Sequence, residues 1–168
     1  ENAGVKKNLF ILSNYFAKHI NNTYLVTENN NNKKKFNKKI KIVCPKSRFF
    51  NNQSRTIKSI CCFFLILNLF KRKKFVLFSF QQNLFALIIS QIFSVTLIIR
   101  LNTSPNKYIH NYFQKIIFQI IYKLANEIIV NSKDFKKNLK KKLNVKSSYI
   151  YNPIITNKRF LKKKKKNK

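Results

Sequence analysis

The sequence predicts an α/β fold built on a mostly parallel β-sheet, and three observations support this prediction. From residue 75 to residue 154, short apolar runs alternate with helical segments in the order strand, helix, strand, helix, strand. Helical connections of this kind join parallel strands. The apolar runs do not alternate with polar residues, which is typical of strands covered on both faces. Sheets of this class bind ligands at the carboxyl ends of their strands.

The first part of the chain, before Phe75, is predicted to contain two helices and two short strands. Apolar residues at a spacing of three and four indicate the first helix, which ends near Asn21. The second helix is apolar over most of its surface. The apolar face of the first helix consists of Val5, Leu9, Leu12 and Phe16. The two strands span residues 23–27 and 40–43, and the second helix spans residues 56–69.

The second part of the chain is predicted to contain three further strands and three helices. The middle helix, over residues 109–124, repeats apolar residues at three and four, which predicts one buried face. Ser132 is predicted to cap the last helix, with Asp134 favourable in its first turn. The strands are Phe75–Ser79, Val95–Ile99 and Glu127–Val130, and the other two helices span residues 82–93 and 135–143. The expected buried face of the middle helix consists of Ile109, Tyr112, Phe113, Ile116, Ile117, Ile120, Ile121 and Leu124.

The charge balance is extreme, with 36 basic residues, 4 acidic residues and a formal net charge of +32. Such a chain attracts polyanions, whether nucleic acid, anionic lipid or a phosphorylated substrate. Part of the charge lies in runs such as Lys140–Lys142 and Lys162–Lys166, and runs of this kind are usually solvated surfaces or tails. Nonetheless, 45% apolar content favours a folded domain over general disorder.

The cysteines and the apolar stretches exclude two simple interpretations. Cys44, Cys61 and Cys62 lack the paired spacing of a zinc site, so no metal is expected, and three thiols suit a reducing cytoplasm. Cys61 and Cys62 are expected to be small buried residues in a helix. The apolar stretches over residues 60–70 and 84–99 are shorter than the roughly 20 residues that a membrane-spanning helix needs.

Two motifs stand on either side of a basic helix, Ala125–Ser132, reading ANEIIVNS, and Tyr149–Ile154, reading YIYNPI. Together they resemble the end of the N-terminal domain of family-4 glycosyltransferases, and residues 2–27 resemble the family's glycine loop, first helix and second strand. The resemblance implies a Rossmann-like, doubly wound domain, one half of a GT-B enzyme, over residues 1–155. Residues 156–168 are then a basic tail or the start of an interdomain linker.

The resemblance also implies that the chain is a fragment. Gly4 follows so soon after Glu1 that the family's first strand has no room, so the sheet is expected to have a gap or an unpaired edge near its middle. The family's donor-binding domain carries an E-x7-E pair of glutamates, and this chain contains none. We therefore expect the isolated chain to transfer no sugar and to be poorly soluble or marginally folded.

The candidate site residues follow from these positions. The resemblance places Gly4 in a loop near the donor phosphate, although the family usually has two adjacent glycines where this chain has Ala3-Gly4. Arg100 is the best candidate for gripping an acceptor phosphate, with a structural cap or ion-pairing role as the alternative. No catalytic residue is assigned, and His110 is expected to be structural. The predicted acceptor-binding residues, at strand ends, are Ser79, Gln81, Arg100, Asn102 and Thr103.

The predicted function is therefore the acceptor side of a retaining glycosyltransferase, which moves a sugar from a nucleotide-sugar to a hydroxyl group. The expected acceptor is a saccharide or a lipid-linked saccharide, and no cofactor, metal or nucleic acid is required. The expected location is cytoplasmic, peripheral on an anionic membrane surface that attracts the basic chain. Two alternatives remain, a basic nucleic-acid-binding protein and a small membrane-associated protein.

Overall fold

The structure, a computed structural model, describes residues 3–28, 33–45, 53–71, 74–80, 83–103, 109 and 111–153. The predicted helices and strands occur in the predicted order, most boundaries agree within two residues, and a short sixth strand follows them at Ser148–Tyr149. The helices are α1 (Ala3–His19), α2 (Arg55–Phe70), α3 (Asn83–Phe93), α4 (Tyr112–Lys123) and α5 (Lys133–Leu143). The strands are β1 (Tyr24–Val26), β2 (Lys41–Val43), β3 (Val76–Ser79), β4 (Thr96–Leu101), β5 (Glu127–Val130) and β6 (Ser148–Tyr149).

The strands form two sheets in which every described pairing is parallel. The smaller sheet pairs β1 with β2, and the larger sheet has the order β3-β4-β5-β6. Helices connect consecutive strands of the larger sheet, as parallel neighbours require. The predicted α/β class is confirmed, and the arrangement is that of a Rossmann-like, doubly wound fold.

The main core lies between the larger sheet and helices α3, α4 and α5. Leu97 and Ile99 of β4 and Val130 of β5 are fully buried there. Leu139 of α5 packs against them, also without exposed surface. Full burial of a leucine side chain contributes about 1.5–3 kcal/mol, so these contacts hold α5 to the sheet although most of its residues are polar.

The ends of α5 follow the predicted capping chemistry. The Ser132 hydroxyl accepts a hydrogen bond from the Phe135 backbone N–H, and Asp134 lies in the first turn. At the other end Asn144 adopts the left-handed conformation, with φ of 48°, and its N–H donates to the Lys140 carbonyl. Caps of this kind satisfy backbone groups that a helix end leaves unpaired.

The predicted buried face of α4 is wrong for most of its residues. Tyr112 and Phe113 are 75% and 71% exposed, and Ile120 is 56% exposed. Of the predicted face, Ile109 and Ile121 do pack against the core, but the most buried residue of the helix is Tyr122, which is 4% exposed and was not predicted. Apolar residues cover most of the circumference of this helix, so the spacing of three and four fits more than one stripe and does not select the buried one.

The two sheets do not join, although the same helices cover both. On one face α1 packs Ala17 against Leu25 of β1, and its Phe16 contacts Phe78 of β3 in a tilted arrangement with ring centroids 5.5 Å apart. On the other face Phe70 of α2 contacts Tyr24 of β1, at 5.1 Å between centroids. No hydrogen bond pairs β1 with β3 among the described residues. The predicted interruption of the sheet is confirmed, and it lies between these two strands.

None of the helices in the described ranges is long and apolar enough to cross a membrane. The predicted boundary at residue 155, the basic tail and His110 lie outside the described residues.

Candidate anion site at the carboxyl edge of the sheet

Arg100 lies inside β4, because that strand continues to Leu101 rather than ending at Ile99 as predicted. Its side chain is 1% exposed, instead of reaching openly into a cleft. The Nη2 atom donates to the Ile150 carbonyl at 3.2 Å and to Asn152 Oδ1 at 3.0 Å. Nε is buried without a hydrogen-bond partner among the described residues. The guanidinium is thus only partly satisfied by its surroundings.

The charge of Arg100 has no carboxylate partner among the described residues. Both of its hydrogen bonds go to neutral oxygens, and burial alone lowers the pKa of the guanidinium. An arginine stays protonated in proteins even so, which leaves a positive charge in a poorly solvated position. Burying an uncompensated charge is costly, so the site gains from any anion that reaches it.

Two asparagines complete the cluster around the guanidinium. Asn8 of α1 is 5% exposed, and its Nδ2 donates to Asn152 Oδ1 at 2.8 Å. The same oxygen therefore accepts from both Asn8 and Arg100. Through it, the cluster ties α1, β4 and the segment after β6 together at the carboxyl edge of the sheet.

Two other predicted acceptor-binding residues, Ser79 and Asn102, lie at the same edge of the sheet but form hydrogen bonds outside the Arg100 cluster. Ser79 ends β3, is 6% exposed, and its hydroxyl donates to Asn83 Oδ1 at 2.9 Å. Asn102 follows β4, and its Nδ2 donates to the Phe80 carbonyl at 3.0 Å. Thr103 is exposed, and Gln81 lies outside the described residues. The structure thus gathers Ser79, Arg100 and Asn102 at the ends of neighbouring strands.

Gly4 lies in the first turn of α1 rather than in a loop before that helix. It is exposed, its φ is not positive, and a Cβ placed on it would meet no atom within 4 Å. Neither backbone conformation nor crowding therefore requires glycine at this position. The role of Gly4 near a donor phosphate stays a prediction.

A cavity of about 2240 Å³ opens beside this cluster. Arg100 and Ser79 line it, together with Val5 and Leu9 of α1. Ile129 of β5 also lines the cavity, which therefore extends across the α1 side of the larger sheet. The same cavity runs between the two sheets as far as α2, where Ile66 and Phe70 line it, so only part of this volume lies beside Arg100.

Sequence reasoning did not assign Asn8 and Asn152 to the site. Asn8 is a polar residue next to Val5 and Leu9 on a helix face that is otherwise apolar, and a buried amide there signals a required hydrogen bond. Asn152 precedes Pro153, a position biased towards extended backbone, but nothing in the sequence shows which side chain it contacts.

The cysteines do not contribute to this site. Cys44, Cys61 and Cys62 are free thiols and only half-buried. Burial, followed by the nearby Glu28 and then the other two thiols, raises the pKa of Cys62 to about 11. Within the described ranges, no three histidine, cysteine or acidic side chains are grouped so that they could hold a metal ion.

The fold and the cluster define a class, a Rossmann-like α/β protein with a buried guanidinium at the carboxyl edge of its sheet. No protein-family model matches the chain, and no curated protein matches its sequence. The resemblance to family-4 glycosyltransferases therefore rests on the motifs themselves and stays a prediction.

Proposed function

We propose that the chain forms the acceptor side of a retaining glycosyltransferase, in which Arg100 binds a phosphate group of the acceptor. One observation carries this proposal. A buried guanidinium with an unpartnered Nε and no described carboxylate beside it lines a large cavity at the carboxyl edge of a parallel sheet. A phosphate supplies the missing negative charge and accepts the N–H groups of the guanidinium.

Phosphate access depends on the segment that covers Arg100. Ile150, Tyr151 and Asn152 belong to no helix or strand, and all three are exposed. The Ile150 carbonyl and Asn152 Oδ1 accept hydrogen bonds from Nη2 of Arg100. In this state Arg100 has a structural role, which is the alternative that the sequence left open. In the proposal, this segment shifts when the acceptor binds, and phosphate oxygens replace the two neutral acceptors.

The saccharide part of the acceptor lies along the neighbouring strand ends. Asn102 donates hydrogen bonds through Nδ2 to the Phe80 and Arg100 carbonyls, and neither of these two bonds involves its Oδ1. An amide oxygen in this position accepts a hydrogen bond from a sugar hydroxyl. Ser79 contributes a second hydroxyl-binding group at the same edge.

A lipid-linked acceptor fits two surface features. The outer side of α4 exposes Tyr112, Phe113 and Ile120, and α5 packs beside α4 with exposed lysines, including Lys137. Apolar side chains next to lysines favour an anionic membrane surface. We therefore place the enzyme at the cytoplasmic face of a membrane, as a peripheral protein.

The reaction breaks the bond between a sugar and a nucleotide diphosphate and forms a glycosidic bond to the acceptor hydroxyl. A donor-binding domain in the same polypeptide holds the nucleotide-sugar, so this chain alone binds acceptor without transferring sugar. Fold alone does not establish an activity, and the proposal depends on the cluster around Arg100.

The proposal is tested by transfer kinetics in a polypeptide that joins this chain to a donor-binding domain. Arg100→Ala should lower kcat/KM for a phosphate-bearing acceptor, and the loss should correspond to about 1.5–3 kcal/mol of activation free energy, the scale of a hydrogen bond to a charged group. Arg100→Lys should recover part of the loss, because an ammonium group lacks the planar pair of donors. Lys163→Ala, which removes one charge from a lysine run, should change little. Unchanged kinetics for Arg100→Ala would refute the assignment.

A further inference from the structure

Helices α2 and α3 expose a continuous apolar patch on the outside of the fold. The two helices pack side by side, and the rings of Phe63 and Phe85 meet between them with centroids 6.0 Å apart. Residues three and four apart are neighbours on a helix surface, so exposed apolar residues extend along both helices from this contact. The α2–α3 patch consists of Ile60 and Phe64 of α2 and Leu84, Ile88 and Ile92 of α3, all of them exposed.

The α2–α3 patch carries no charge, although the chain as a whole has a formal net charge of +32. Helix α3 contains no charged residue, and α2 contains none after Lys58. Lys58 lies two positions before Ile60, which places it on the opposite side of the helix. By contrast, α4 contains Lys115 and Lys123 and packs beside the lysine-rich α5. The two exposed apolar surfaces therefore differ in their charge.

We infer that the α2–α3 patch is the interface through which two copies of the chain form a two-fold symmetric dimer. In such a dimer the same patch of both copies meets itself, so the surface must be complementary to itself. An apolar surface without charge meets this condition. The centres of protein interfaces are likewise poor in charged residues and rich in aromatic ones, here Phe64. The inference does not depend on the proposed glycosyl transfer.

The charge distribution favours a second copy over other partners. Two chains of net charge +32 repel each other, and the repulsion is smallest where neither presents a lysine. An anionic membrane or an acidic protein instead gains most where lysines flank apolar side chains, as they do on α4 and α5. These anionic partners thus have a better surface elsewhere on the molecule.

The size of the α2–α3 patch suits a reversible dimer. Each of its side chains is exposed over roughly half of its surface, so the patch reaches several hundred square ångströms, at the upper end for a monomer. A specific interface buries about 800 Å² on each partner. The patch supplies the apolar centre of such an interface, and exposed polar neighbours such as Asn68 and Gln91 supply part of its rim.

The inference is tested by sedimentation velocity of the full chain over a range of protein concentrations. A dimer should form at about 10–100 µM, the range of a weak interface, and its dissociation constant should fall when the salt concentration is raised, because salt screens the repulsion between copies. The matched variants are Ile92→Lys in the patch and Ile120→Lys on α4, since these isoleucines are 58% and 56% exposed. Ile92→Lys should weaken the dimer about tenfold or more, and Ile120→Lys should leave it nearly unchanged.

Circular dichroism shows whether the variants fold, and Ile92→Ser with Ile120→Ser repeats the comparison without added charge. A wild-type chain that stays monomeric at 100 µM and high salt would overturn the inference, as would equal losses in the two variants. If the chain aggregates beyond a dimer, equal reduction of aggregation by both variants has the same meaning. Co-sedimentation with vesicles of phosphatidylcholine and phosphatidylglycerol tests the other occupant. Vesicle binding that Ile92→Ser weakens and Ile120→Ser does not would assign the patch to a membrane instead.

Discussion

Replacing Asn152 by aspartate should test whether the charge of Arg100 is uncompensated. The substitution keeps the shape of the side chain and places a carboxylate oxygen where Asn152 Oδ1 now lies, 3.0 Å from Nη2 of Arg100. The present bond already has one charged partner, the guanidinium, and a carboxylate adds charge–charge attraction to it. Because Asn152 is itself exposed, water screens part of the gain. We expect the free energy of unfolding at pH 7 to rise by about 1 kcal/mol.

The matched control is Asn152→Ala, which removes the acceptor of both Asn8 and Arg100 without adding a charge. It should destabilise the protein by about 1–3 kcal/mol, because the buried Asn8 Nδ2 loses its acceptor and Arg100 Nη2 keeps only the Ile150 carbonyl. Urea unfolding followed by circular dichroism measures both variants. The pKa of the new carboxyl should lie below its usual value of about 3.9, so its advantage should persist above pH 4 and vanish as the pH falls further. Destabilisation by Asn152→Asp equal to that of Asn152→Ala would show that the charge of Arg100 is already compensated.

Two further predictions concern α1 and α2. Gly4→Ala should raise the free energy of unfolding by up to about 1 kcal/mol, and with it the thermal unfolding midpoint, because a Cβ at this helical position meets open space. A clear loss of stability would show that glycine is required there. Cys62, with its pKa raised from 9.0 to about 11, should be alkylated by iodoacetamide at pH 8 roughly a hundredfold more slowly than in the urea-unfolded chain, since the thiolate is the nucleophile. Mass spectrometry of the peptide containing Cys62 measures this rate, with Cys62→Ser to confirm the assignment, and equal rates would contradict it.

The sequence was sufficient for the order of the elements because each carries a local signal. The apolar run Val95–Ile99, the Ser132 cap and the period of α5 are properties of neighbouring residues, and the structure confirms each as a strand, a cap or a helix. The extension of β4 through Arg100 was missed because a charged residue normally ends an apolar strand. Pairing with β5 continues there, and the side chain finds acceptors after β6.

The site was predicted only in part, because its contacts join residues far apart in sequence. Asn8 and Asn152 meet through the packing of α1 against the end of the sheet, and no local pattern contains that information. The buried stripe of α4 was predicted wrongly for a related reason. Tyr122, rather than the equally apolar stripe through Tyr112 and Ile120, faces the core because of the position of the sheet, not because of the helix sequence.

The most direct test of the central claim is the affinity of the chain for a sugar 1-phosphate, measured by calorimetry at 0.15 M salt to screen the general charge. The matched pair of variants is Arg100→Met, at the buried site, and Lys137→Met, at an exposed position of α5. If Arg100 binds the phosphate, Arg100→Met weakens binding about tenfold or more, and Lys137→Met leaves it nearly unchanged. Equal losses in the two variants, or equal binding of the sugar without its phosphate, would contradict it.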